Sequence, residues 1–179
     1  PRVRGLFLKN LADFQTELAR VPAGIVPGLV VWEQRKKLPE LVFRSMRRVQ
    51  DLRIRGRELG VSFADMHFNR AVAGRELLDA ICSAPSIADA IHAALIAVPH
   101  ILVGAIDDYT KRNDNIYDLP TLPLLAADRE ELTAQIAWAE SALRVLGEAA
   151  EAKTDGKFAQ RVAGLAATLP SGLREHATK

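Results

Sequence analysis

Four groups of residues in this chain have the types and spacing to do chemistry. Asp128, Glu131 and Gln135 recur at intervals of three and four residues, and Trp138 continues the stripe. That spacing sets them on one helix face. There, carboxylates could ligate a cation, and Glu131, Gln135 and Trp138, with Trp32 from an earlier helix, could hold a small organic molecule. Leu124, Leu125, Leu132, Ile136 and Ala139 form the adjoining apolar face, so the stripe is expected at the water-side border of the core. His100 and Asp107 lie seven residues apart on one face of another run, and with Glu33 they would make an acid–base set. The competing expectation for His100 is a core imidazole donating to the carbonyl that Pro99 leaves free. For Glu33 it is a solvated carboxylate paired with Lys37, four residues on.

The remaining charged cluster is basic. Residues 35–57 hold nine Lys or Arg against two acids. Arg44, Arg48 and Arg55 align with Asp51 on a helix, with Arg47 beside them. Such a stripe can bind an anion or an acidic partner. It can equally be a solvated face paired with acids on neighbouring helices. No aromatic interleaving for base stacking and no DNA-reading motif accompanies it, so nucleic acid is not expected. Asp89-x-x-His92 has ligand spacing, but Asp89 is expected as the third residue of a helix capped by Ser86. Cys82, the single cysteine, is expected as a small buried hydrophobe. It makes an intramolecular disulfide impossible, and a reducing cytoplasm is the expected location.

The elements that would position these groups are helices. Apolar residues recur at helical spacing almost throughout, with no sustained alternation. Helices are expected over about 4–20, 29–38, 39–59, 67–82, 86–112 and 120–153, with a last one reaching Pro170 and a frayed tail after it. Residues 88–106 are the most bilayer-like stretch. Asp89, two histidines and Pro99 interrupt it, so it is expected as a helix buried among others. The chain of 179 residues, net charge +2, is expected to be one soluble all-α domain.

VPHILVGAIDDY (98–109), DLPT (118–121) and LLAADREELTAQIAW (124–138) together resemble the second half of ferritin-like helical bundle proteins. RVQDLRIRGRELG (48–60) resembles the end of the second bundle helix in the same superfamily. The resemblance implies a ferritin-like four-helix bundle, its core about 29–153, with extra N- and C-terminal helices. It also implies a site for two iron or manganese ions, built from a carboxylate on each of two helices and a Glu-x-x-His on each of the others. This chain has no Glu-x-x-His. Gln135 stands where the histidine would, Leu132 stands where the glutamate would, and arginines occupy the comparable part of the second helix, 44–50. An arginine donates hydrogen bonds and repels cations.

The expectation is therefore a divergent member without a cofactor that works through binding, either in assembly or by holding a small organic ligand in the bundle cavity. A dimetal oxidoreductase and a metal-free catalyst using His100, Asp107 and Glu33 are the enzymatic alternatives. A third is an adaptor docking an acidic partner on Arg44, Arg47, Arg48 and Arg55. A homo-oligomer is possible through the apolar first helix, and no membrane partner is expected.

Overall fold

The computed structural model of the chain describes residues 2–26, 29, 31–62, 74–112, 116–150 and 155–175. All regular structure among them is helical. The helices are α1 (Arg2–Leu18), α2 (Arg20–Ile25), α3 (Trp32–Glu58), α4 (Arg75–Cys82), α5 (Ile87–Arg112), α6 (Thr121–Ala150), α7 (Gly156–Ala166) and α8 (Leu169–Glu175). A 3-10 turn, Ile116–Asp118, precedes α6.

Four long helices carry the core. Polar contacts pair Gln34 with Ala142, Arg48 with Asp128 and Arg55 with Thr121, so α3 and α6 run antiparallel. Arg4 meets Asp118 and Gln15 meets Asp128, so α1 runs parallel to α6. Asp107 meets Arg129 across the turn that joins α5 to α6, which makes that pair antiparallel. The directions are therefore up for α1, down for α3, down for α5 and up for α6. The chain between α3 and α5 must return from one end of the bundle to the other, and α4 lies on that return.

Several expectations need correction. Pro39 does not divide α3, which runs unbroken for 27 residues. The proline is exposed, so its ring projects outward, and losing one N–H costs a single turn rather than the helix. The glycine- and proline-rich stretch after α1 is not all loop, because Arg20–Ile25 continues as a short helix with Pro22 in its first turn. The core does not begin near residue 29. Phe7, Leu8, Leu11 and Phe14 of α1 are among its most buried members, so α1 is consumed inside the chain. The tail after Pro170 is not frayed up to Glu175: Leu173 is buried and its carbonyl accepts a hydrogen bond from Asn10 Nδ2 at 3.1 Å. The expected helix over 67–82 is seen from Arg75, and 67–73 lie outside the described residues.

The apolar run in α5 is long and apolar enough to span a bilayer by composition, yet more than half of it is buried against the other helices. Inside it, Ala93–Ala97 form a π-helical turn just before Pro99. An α-helical proline at 99 would lack the bond to the carbonyl of Leu95 and crowd it. The wider turn is the local solution. At the N-terminus of α5, Ser86 Oγ accepts from the Asp89 N–H at 3.0 Å, as the capping pattern requires. Asp89 itself reaches further than expected, accepting from the Asp155 N–H at 2.9 Å and so pinning the entry to α7.

α1 and α3 approach closely at Gly5. A Cβ there would sit 2.7 Å from Val61 Cγ2 and 2.9 Å from the Gly56 carbonyl oxygen. The carbonyl belongs to a helix and cannot yield cheaply. Gly5→Ala is therefore expected to lower the unfolding free energy by about 1–3 kcal/mol, read as a drop in the urea midpoint at unchanged slope. An unchanged midpoint would show that the helices do not meet at this distance.

Candidate functional site

The most elaborate polar site joins α1, α3 and α6 in the middle of the bundle. Asp128 is fully buried on α6. Its Oδ1 accepts from Arg48 Nε of α3 at 2.8 Å, and its Oδ2 accepts from Gln15 Nε2 of α1 at 2.6 Å. Glu131, one turn on, lies 3.4 Å from Arg48 Nη1 and 3.3 Å from Arg44 Nη1, and Arg44 is also bridged to Glu40 at 2.6 Å. One guanidinium thus sits between two carboxylates of the same helix.

The reason lies in helix phase. Asp128, Glu131 and Gln135 face α3 rather than the solvent border, and Gln135 is buried with Asp128. The expected water-side position is corrected for both, because Arg48 compensates the buried charge. The expected acid pairing of the basic stripe does hold. Arg44 and Arg48 pair with α6, Arg55 donates to Thr121 Oγ1 at 2.9 Å and bridges Glu58, and Arg47 points outward. Arg53 reaches Asp13 and Thr16 of α1, where the buried Lys9 also pairs with Asp13 at 2.7 Å. Sequence reading missed Gln15, Lys9 and Asp13. The spacing of Lys9 and Asp13 is a local signal, while nothing local marks Gln15.

The DLPT turn is held by the same chemistry at the end of the bundle. Asp118 is buried, ion-paired with Arg4, and accepts from the Tyr109 hydroxyl at 3.3 Å. Tyr109 stacks on Phe7 with ring centroids 4.6 Å apart.

The proposed acid–base residues do not converge. His100 is exposed on α5 rather than in the core, Asp107 pairs with Arg129 at 2.7 Å, and Glu33 is exposed near the start of α3. Lys37 pairs with Glu40 at 2.9 Å and not with Glu33. Cys82 is exposed, contrary to the buried thiol expected of it. Trp32 projects into solvent at 69% exposure, while Trp138 is half-buried against the core, so the two indoles do not share a cavity. Among the described residues no three His, Cys, Asp or Glu side chains come together to hold a metal ion.

A cavity of about 20 Å³ adjoins the Asp128 site, lined by Gln15, Ser45 and Gln135 with Leu41, Leu95 and Leu132. Gln15 Oε1 is buried there without a hydrogen-bond partner among the described residues. The space suits about one water molecule. A wider surface groove of about 510 Å³ runs between α2 and the α4–α5 junction, walled by Val21, Ile25, Ile81 and Ile87.

Burial pushes the Asp128 carboxyl above the ordinary value of 3.8. The Arg48 charge and the hydrogen bonds from Gln15 and Arg48 pull it back without cancelling the rise, and Glu131 adds to it. On Glu40, the hydrogen bond from Lys37 acts oppositely and holds the carboxyl low.

Two outcomes follow from this geometry. Arg48→Met strands a buried carboxylate and is expected to cost about 3–5 kcal/mol, most of which Arg48→Met with Asp128→Leu recovers. Denaturation of the wild type, both single variants and the double variant measures this, and an additive double variant would refute the coupling. Because the folded state holds the Asp128 proton more tightly, this group's contribution to stability falls as pH rises above 3.8 toward the folded value. Asp128→Asn is expected to remove that fall. The difference between the two pH profiles isolates Asp128 from Glu40, whose slope has the opposite sign.

Comparison with family models, with curated proteins and with solved structures returns no match.

Proposed function

We propose that this chain is a ferritin-like bundle that works through binding, as an assembly protein, with a structural ion pair where a metal centre would stand. The up, down, down, up order with a crossing return supports the bundle type. Arg48 supports the loss of metal chemistry, because its guanidinium takes the position between Asp128 and Glu131 that a cation would need. The interior cavity of about 20 Å³ is far below the roughly 300–1,000 Å³ of a small-molecule site. That favours assembly over a ligand held in the bundle.

The observation that carries the reading is the outward face of α3. Trp32, Phe43 and Ile54 are 69%, 68% and 44% exposed, and all three project from one helix. They stand about 16 Å apart in one row along the helix, and a row of exposed apolar side chains on one helix face is what a partner surface can cover. Arg44, Arg48 and Arg55 are engaged with partners inside the chain, so an adaptor surface built on them would have to break those contacts.

A photo-reactive benzoylphenylalanine in place of Phe43 tests this in the protein's native cells. A light-dependent adduct of defined mass is expected at position 43 and not at the exposed control Gln160. No adduct at 43 would end the assembly reading. Phe43→Ser should abolish the complex while shifting the unfolding free energy by no more than about 0.5 kcal/mol.

A further inference from the structure

The exposed apolar residues of α3 are evenly spaced. Positions 32, 43 and 54 are eleven residues apart, which is three helical turns plus about 20°, so they form one stripe with steps of about 16 Å. The stripe is also symmetric about its middle member. Turned end for end around Phe43, it superposes Trp32 on Ile54 and Ile54 on Trp32.

Reversal also brings basic residues beside the stripe to within one residue of acidic ones. Lys36 and Asp51 are both exposed, and neither has an ion-pair partner within 4 Å among the described residues. Reversal about Phe43 sets Lys36 against Gln50, one residue from Asp51. It also sets exposed Arg47 against Pro39, one residue from Glu40.

We propose that the outward face of α3 docks on the same face of a second copy of this chain, antiparallel, with Phe43 on the two-fold axis. This rests on the assembly reading and names its partner. An isologous contact requires a surface complementary to itself. Here the apolar centre meets itself, Trp32 packs on the other copy's Ile54, and each Lys36 faces the other copy's Asp51 twice over. An anionic lipid surface would suit Trp32, Phe43, Lys36 and Arg47. It would be repelled by Glu33, Glu40 and Asp51 along the adjoining flank, whereas a second copy sets Asp51 and Glu40 beside Lys36 and Arg47.

Sedimentation of the purified full chain from low to high micromolar concentration should show a monomer–dimer equilibrium. Phe43→Glu should weaken it by about 100-fold or more. Lys36→Asp should weaken it about tenfold, and adding Asp51→Lys should restore it to within about threefold of wild type. In a Cys82→Ser background, Phe43→Cys should form a disulfide-linked dimer on mild oxidation. Trp32→Cys and Ile54→Cys should each form no interchain disulfide alone and cross-link when mixed. A dimer that ignores these substitutions overturns the proposal. So does a monomer that instead sediments with phosphatidylserine vesicles. If the purified chain stays monomeric while the position-43 adduct contains another protein, the second copy is excluded and assembly stands. If there is neither a dimer nor an adduct, both readings fall.

Discussion

The bundle depends on a buried negative charge that three helices must neutralise together. Asp128 is fully buried, so Arg48 and Gln15 must arrive from α3 and α1 with the right reach and height. Apolar packing alone would let parallel and antiparallel helices slide past one another by a turn at modest cost. The carboxylate forbids that, because a displacement of one turn leaves a charge unpaired in the core. Register in the middle of the bundle is set by this contact. At the end of the bundle, Arg4 and Tyr109 on Asp118 and Arg55 on Thr121 do the same for the turn that begins α6.

Helix periodicity made the fold class legible, since an apolar row every three or four residues admits few alternatives. Ser86 and Asp89 marked the start of α5 with the same clarity, because capping is a local event. What periodicity could not convey is which polar face is solvent and which is core. Asp128 and Gln135 sit beside an apolar row and read as its border until a cation from 80 residues earlier in the chain is known to meet them. Trp32 erred in the other sense, expected against a bound molecule and found large, apolar and exposed. Composition assigns such residues to an interior that this chain does not provide for them. His100 was legible as a helix-face residue but not as an exposed one, because the π turn before it changes the phase of the face it belongs to.

α3 is accordingly a helix with three distinct sides. One side packs Leu38, Leu41, Val49 and Leu52 into the core, a second spends its arginines on α6 and α1, and the third presents aromatic residues to solvent. Arg48, Arg53 and Arg55 are mostly covered by their partners, while Arg35, Lys36, Arg44, Arg47 and Arg57 stay exposed.

The π turn in α5 has a consequence for how this protein can change over generations. A π turn is one surplus residue absorbed into a helix without opening a loop. Ala93 through Ile96 all lie buried within it, as Ala88 through Ile91 do in the regular turn before. Loss of one residue there would restore an ordinary helix and leave the two halves of α5 in the phase they have now. The length of this short alanine-rich stretch can therefore change by one residue without turning either half of α5 away from the helices it packs on.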